Sequence, residues 1–133
     1  MHEVRSLAVG TRAAVEQARR DARALAATLG FGREDREAIA LATSELATNL
    51  VRHARAGAIS LSAVEGPGGP GIQIVSRDLG PGIADLAWAR RDGCGSGGGL
   101  GSGLPAVWRL MDAVEITSSA TGTTVVARKW LRR

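Results

Sequence analysis

A glycine-rich run from Gly93 to Gly103 divides the chain into two parts of ordinary composition. Glycine has no Cβ and reaches positive φ angles without steric cost, so such a run favours neither a helix nor a strand. It is either a slack linker or a loop whose backbone N–H groups surround an anion. The next segment, Leu104–Met111, is predicted to be a helix with Pro105 in its first turn. A glycine loop that leads into a helix N-terminus is typical of phosphate sites, and the rest of the chain must decide between the two interpretations.

Composition indicates one soluble globular domain over residues 1–133. The chain has 133 residues, of which 44% are hydrophobic, which is enough for a core of its own. Three Trp, one Phe and no Tyr leave no stacking platform for single-stranded nucleic acid. The single cysteine, Cys94, excludes an intramolecular disulfide and a cysteine-based zinc site. Because no apolar leader or membrane-spanning run is visible, we expect a cytoplasmic protein without membrane attachment.

The charge balance is mildly basic, with a formal net charge of +4. Part of the excess is gathered near the C-terminus, at Arg128, Lys129, Arg132 and Arg133. A basic surface can bind nucleic acid. In an Arg-rich and Ala-rich chain a solvated face is the simpler interpretation, and an acidic protein partner also fits. We therefore expect no nucleic-acid partner.

Hydrophobic periodicity predicts the order β-α-α-β-β-loop-α-β-β. The predicted strands are Glu3–Val9, Ile59–Ala63, Ile72–Asp78, Val114–Ser118 and Thr123–Trp130. The predicted helices are Arg12–Leu29, Arg33–Arg55 and Leu104–Met111, with a further short helix at Ile83–Arg91. Gly66–Gly71 is predicted to be the connection of a hairpin. This order favours an α+β fold, a two-layer α/β sandwich whose mixed, mainly antiparallel sheet carries its helices on one face.

Two common nucleotide motifs are excluded by their context. Gly93-x-Gly95-x-x-Gly98 has the dinucleotide spacing, but it follows Arg90-Arg91-Asp92 and not a strand. The chain has no Gly-Lys-Ser/Thr sequence and therefore no Walker A loop.

The second predicted helix carries polar residues beside its apolar stripe. Glu45, Asn49 and His53 recur at i, i+4 and i+8 and therefore share one face. Buried polar groups need partners. Asn49 can offer an oxygen to Mg²⁺, and Glu45 can act as a base or orient a hydroxyl. An ordinary polar stripe at the edge of the solvent is the alternative.

Two turn-like segments complete the candidate site. Asp78 ends a predicted strand, so its carboxylate is held rigidly and can accept a hydrogen bond from the exocyclic amine of adenine. Gly80 and Gly82 follow it and let the turn pass close to the base. Thr121-Gly122-Thr123-Thr124 precedes the last strand. Seen alone, each segment is typical of a simple turn.

The order of these segments resembles the N, G1, G2 and G3 boxes of the GHKL superfamily (Bergerat fold, HATPase_c). The boxes are Glu45-Leu46-x-x-Asn49, Asp78-x-Gly80-x-Gly82, Gly99-Leu100-Gly101-x-Gly103 and Gly122-Thr123. The small size is similar to that of the stand-alone serine/threonine kinases of bacterial partner-switching systems. The chain also resembles the RsbT-type switch kinases of the stressosome, in Asp92-Gly93, Ser96–Gly101, Gly103-Leu104-Pro105-x-Val107, Arg109–Asp112 and Lys129–Leu131. Thr43–Leu46 and Val51–Ala54 resemble the wider anti-sigma kinase group equally well.

The resemblance implies a role for each matching position. Asn49 would bind Mg²⁺, Glu45 would be the general base, and Asp78 would bind adenine with help from Thr123. His53 would lie near the phosphates. The remaining positions implied to contact ATP are Gly80, Gly82, Gly99, Leu100, Gly101, Ser102, Gly103 and Leu104. The lid would lie between Ile83 and Gly103, with Gly93–Gly98 supplying its mobility.

The implied activity is that of an ATP- and Mg²⁺-dependent serine/threonine protein kinase. Its partner would be a STAS-domain antagonist, and a downstream phosphatase or output regulator would follow. The protein would be a monomer or a weak dimer. The alternative is an anti-sigma factor or nucleotide-dependent binding module that sequesters or activates a protein. The presence of both Glu45 and Asn49 favours the kinase, and the glycines at Gly97 and Gly98 disfavour sequestration of a sigma factor.

Overall fold

The computed structural model describes residues 4–53, 57–78, 104–120 and 122–132. Along the chain these form β1 (Val4–Ala8), α1 (Arg12–Leu29), α2 (Arg33–His53), β2 (Gly57–Gly66), β3 (Gly69–Asp78), α3 (Leu104–Leu110), β4 (Ala113–Ser119) and β5 (Gly122–Trp130). Within these ranges every predicted helix and strand is present. The predicted helix at Ile83–Arg91 lies outside the described residues. None of the helices in the described part is long and apolar enough to cross a membrane.

Local sequence signals explain where the first helix begins and ends. The Thr11 hydroxyl accepts a hydrogen bond from the Ala14 amide at 3.1 Å, which satisfies a free N–H group of the first turn. Gly30 ends α1 with a φ of 97°, a left-handed conformation that glycine adopts without strain. Phe31 follows at once and is 2% exposed, so the short α1–α2 connection is anchored in the core.

Within the described residues the sheet has five strands in the order β1-β2-β3-β5-β4. All pairings between neighbouring strands are antiparallel. The α+β fold with a mainly antiparallel sheet, expected from the sequence, is therefore confirmed, and every strand pair in the described part is antiparallel. The pairing of β3 with β5 rather than with β4 brings the ends of two strands distant in sequence together.

The core lies between one face of the sheet and the helices. Its strand residues occupy alternate positions, as expected for a half-buried sheet: Ile59, Leu61, Ile72, Ile74, Val125 and Ala127. The predicted stripe of α2 faces them, and all its members are buried: Ile39, Ala42, Leu46 and Leu50. Since this stripe is anchored, the polar residues beside it have fixed positions relative to the sheet.

The β2–β3 hairpin is longer than the sequence predicted. The predicted connection, Gly66–Gly71, is wrong, because only Pro67 and Gly68 form the turn and both strands continue to it. The cause is Trp130, whose indole covers the glycines on either side. A Cβ at Gly71 would lie 2.5 Å from Trp130 Cε3, and one at Gly66 would lie 2.6 Å from Trp130 Cζ3. Gly66 and Gly71 are paired strand residues here, and their lack of a side chain leaves room for the Trp130 indole.

The basic residues near the C-terminus are largely paired within the fold. Arg128 donates to Gln73 Oε1 at 2.7 Å and to Glu115 Oε2 at 3.0 Å. Lys129 Nζ donates to the Leu110 carbonyl at 2.9 Å, at the C-terminal end of α3. Arg132 Nη2 donates to Asp112 Oδ1 at 2.8 Å. These contacts tie the basic side chains to neighbouring elements of the fold.

Candidate active site

Strand pairing places four residues in a row across one end of the sheet. Gly57 on β2 lies opposite Asp78 on β3, Asp78 lies opposite Thr123 on β5, and Ser118 on β4 lies opposite Thr123 from the other side. Residues that pair directly in a sheet project their side chains from the same face. The row therefore brings the predicted adenine residues, Asp78 and Thr123, together, although they are 45 positions apart in the sequence.

Hydrogen bonds connect three members of this row. Asp78 Oδ1 accepts from the Thr123 amide at 3.3 Å, and the Thr123 and Ser118 hydroxyl oxygens lie 3.0 Å apart. Thr123 is 7% exposed, and Asp78 and Ser118 are partly buried. Hydrogen bonds in a partly buried place hold side chains in defined orientations. A carboxylate acceptor and a hydroxyl consequently stand side by side at the sheet end.

The helix α2 supplies the second group of candidate residues. Glu45 and Asn49 are partly buried and lie one turn apart, next to Leu46 and Leu50, which are 1% and 3% exposed. The expectation that they flank the apolar stripe agrees with this placement. His53 is the last residue of α2, and its side chain lies outside what the structure describes.

A close contact between α2 and the sheet connects the two groups. A Cβ at Gly57 would lie 2.8 Å from Leu50 Cδ2 and 3.0 Å from Leu50 Cβ. Gly57 is the residue opposite Asp78, and Leu50 follows Asn49 in the helix. The absence of a side chain at Gly57 therefore lets the end of α2 lie directly against the Asp78 row. No local sequence signal marks this role of Gly57, because the role depends on strand register.

The remaining predicted ATP contacts are largely outside the described residues. Leu104 is the first residue of α3, is partly buried and packs against the core. The helix α3 has seven residues, ends one residue earlier than predicted, and contacts α2. Gly80, Gly82, Gly99, Leu100, Gly101, Ser102 and Gly103 lie outside the described ranges.

The donor set on these elements fits a magnesium nucleotide. In the described part of the chain no group of three or more His, Cys, Asp or Glu side chains is arranged to hold a metal. Mg²⁺ in kinase sites uses few protein ligands and takes the others from phosphates and water, so a single carboxamide oxygen such as that of Asn49 is suited to it. The Asp78 carboxylate beside the Thr123 hydroxyl suits the edge of a base that carries an amine.

Comparison with known proteins identifies the class of this fold and site. The family model described as the histidine kinase-like ATPase domain matches residues 9–129. The chain therefore belongs to the histidine kinase-like ATPase family. It is 45% identical over 116 residues to the serine/threonine-protein kinase RsbT of Bacillus subtilis, covering 86% of this chain and 87% of RsbT. Within the family, the chain is a member of the RsbT-like group of serine/threonine-protein kinases, which confirms the resemblance found in the motifs.

A solved structure supports the fold independently. The chain is similar to the structure of the RsbU and RsbW domains of a Mycobacterium tuberculosis protein, with a TM-score of 0.67 and 22% identity. The match covers 97% of this chain and 32% of that longer chain. At this level of identity the likeness concerns the fold, and it agrees with the antiparallel sheet and helices described above.

Proposed function

We propose that this chain is an ATP-dependent serine/threonine protein kinase that phosphorylates a STAS-domain antagonist in a partner-switching pathway of the stressosome type. The observation that carries the proposal is the 45% identity to RsbT over 86% of the chain. The contact of Leu50 with Gly57 adds support, because it packs the part of α2 that carries Asn49 against the strand residue opposite Asp78.

The sheet end would bind the base, and α2 would act on the phosphates. Asp78 accepts a hydrogen bond from the exocyclic amine of adenine, and Thr123 beside it contacts the same base. Asn49 supplies an oxygen ligand to Mg²⁺. When bound, ATP with Mg²⁺ supplies the transferable γ-phosphoryl group and neutralises its charge, while the protein contributes mainly positioning and electrostatic stabilisation.

Glu45 would be the general base of the transfer. It lies one helical turn before Asn49, so a hydroxyl that reaches Glu45 is close to the group that holds the metal. Its carboxylate would accept the proton of the partner's serine or threonine hydroxyl as that oxygen bonds to the γ-phosphorus of ATP. The bond between the γ-phosphorus and the β,γ-bridging oxygen would break at the same time, so that ADP is the leaving group. Phosphorylation of the antagonist would then release the kinase, which would act on a downstream phosphatase or output regulator in the cytoplasm.

The test uses the purified protein, Mg²⁺-ATP and a STAS-domain protein captured from the host and identified by mass spectrometry. We expect the intact mass of the STAS-domain protein to rise by one phosphate, and EDTA to abolish the rise. A stable complex without phosphate would contradict the kinase and support a nucleotide-dependent binding module or anti-sigma factor.

Substitution Glu45→Ala separates binding from catalysis. We expect phosphate transfer to fall by about 100-fold or more, because a positioned general base contributes about 10²- to 10⁴-fold. ATP affinity, measured by calorimetry, should stay within about threefold, because Glu45 is assigned no contact with ATP. Glu37→Ala, which removes an exposed carboxylate earlier on the same helix, is the matched control. Undiminished transfer by Glu45→Ala would exclude Glu45 as the base.

A further inference from the structure

Ser118 is a polar residue of the candidate site to which the roles above assign nothing. It lies on β4, opposite Thr123, and its hydroxyl oxygen is 3.0 Å from that of Thr123. Thr123 is 7% exposed, and its amide donates to Asp78 Oδ1. Ser118 is therefore a neighbour of the two residues proposed to contact the base, and its hydroxyl is within hydrogen-bond distance of the Thr123 hydroxyl.

The direction of the Ser118–Thr123 hydrogen bond decides what Thr123 can offer a ligand. A hydroxyl group has one proton to donate and accepts through its lone pairs. Either hydroxyl of this pair can be the donor. When Ser118 donates, the proton of Thr123 remains available to a ligand. When Thr123 donates to Ser118, only its acceptor capacity remains.

We infer that Ser118 is a positioning residue for base selection, which donates to Thr123 and so presents Thr123 as a donor beside the acceptor Asp78. Adenine carries an amine donor and a ring-nitrogen acceptor next to each other on one edge, which complements this pair. Hypoxanthine carries a carbonyl oxygen and an N–H in the same places, so both of its groups meet a group of the same kind. The inference rests on the proposed use of ATP.

A purely structural role for the Ser118–Thr123 pair makes a different prediction. Cross-strand hydroxyl pairs stabilise a sheet whatever ligand is bound. Loss of such a contact would lower the thermal midpoint or weaken all nucleotides equally. Only a residue that sets the donor direction of Thr123 changes the ratio of the affinities for ATP and ITP.

The experiment measures the dissociation constants of Mg²⁺-ATP and Mg²⁺-ITP by calorimetry for the full chain and its variants. In Ser118→Ala the preference for ATP over ITP should fall by about three- to tenfold, the worth of one directed hydrogen bond. Ser118→Thr keeps the hydroxyl and should retain the preference within about twofold. Thr117→Ala removes an exposed hydroxyl from the other face of the same strand and should leave the preference unchanged.

A double variant keeps the test decisive if Ser118→Ala destabilises the sheet. Thr123→Val should lower the ATP preference by itself, and Ser118→Ala added to Thr123→Val should lower it no further, because both act through one hydroxyl. A preference unchanged or raised in Ser118→Ala, or an equal loss for both nucleotides, would overturn the inference. Failure of the unmodified protein to bind ATP would instead contradict the proposed function, so the two failures are distinguishable.

Discussion

The two ends of the β3–β5 ladder share one kind of hydrogen bond but differ in the side chains that surround it. The ladder runs from Gly71 opposite Trp130 to Asp78 opposite Thr123. At each end an aspartate accepts a hydrogen bond from a backbone amide of β5. Asp112 accepts from Trp130 at 2.8 Å, and Asp78 accepts from Thr123 at 3.3 Å.

The surroundings of the two aspartates differ. Asp112 also accepts from Arg132 Nη2 at 2.8 Å and lies 3.9 Å from Lys129 Nζ. Burial alone would raise the pKa of Asp112, but the Trp130 amide, the Arg132 hydrogen bond and the charges of Lys129 and Arg132 hold that pKa below its usual value. Asp78 is instead part of a row with the neutral hydroxyls of Thr123 and Ser118. The contacts of Asp112 tie β5 and the residues after it to the start of β4, whereas Asp78 is the residue proposed to contact the base.

The largest expected effect concerns the Asp78 end. In Asp78→Asn, ATP affinity should fall about 10- to 100-fold, because a hydrogen bond to a charged acceptor is replaced by an amide whose N–H₂ opposes the amine of adenine. The Asn side-chain carbonyl still accepts from the Thr123 amide, so the fold should be kept. Calorimetry with ATP measures the effect, and Asp112→Asn is the control with expected wild-type affinity. Equal losses in both variants would remove the distinction between the two ends.

The next effect concerns the Trp130 end. In Gly71→Ala the new Cβ would meet Trp130 Cε3 at 2.5 Å and the Lys129 carbonyl oxygen at 2.6 Å. Overpacking of this kind costs about 1–3 kcal/mol of the free energy of unfolding, measured by urea denaturation. Gly68→Ala in the turn of the same hairpin meets nothing within 4 Å and is the matched control. If the folded Gly71→Ala protein also bound ATP more weakly than wild type, the two ends of the ladder would be coupled.

The smallest expected effect is the pH dependence that Asp112 contributes. Because its pKa is lowered in the folded state, the stability it supplies is present above the usual aspartate value of 3.8 and is lost as the pH falls through the lower folded value. Asp112→Asn should cost about 1 kcal/mol at neutral pH, since the amide from Trp130 keeps an acceptor. The difference from wild type should shrink below about pH 3.8 in acid unfolding curves. A constant difference across that range would contradict the assigned cause.

Much of the fold could be predicted because its signals are local. The three-four spacing marks Val15, Ala18, Ala22 and Leu25 in α1 and the stripe of α2 as buried, whereas Leu29 at the end of α1 is only partly buried. Thr11 and Gly30 mark the ends of α1. Strand alternation likewise places Val125 and Ala127 on one face of the last strand, and the structure shows that this face is buried. The predicted hairpin connection was wrong because glycine composition indicates a turn, whereas here the glycines are strand residues covered by Trp130.

The sequence could predict which residues belong to the candidate site, but it could not predict which of them lie opposite one another in the sheet. Motif order alone selected Glu45, Asn49, Asp78 and Thr123 as partners in one pocket, and those assignments remain predictions to be tested. The roles of Gly57 and Ser118 had no local signal, because each depends on the residue that lies opposite it in the sheet.

The sequence by itself determined the elements, the burial of their apolar faces and the family, because periodicity, caps and motif spacing are properties of neighbouring residues. Only the tertiary structure decided which residues meet. The register of four strands brings Gly57, Asp78, Thr123 and Ser118 into one row. Such pairing joins residues far apart in the chain and is set by the packing of a whole sheet face, since a shift of one residue would turn each side chain of a strand to the other face.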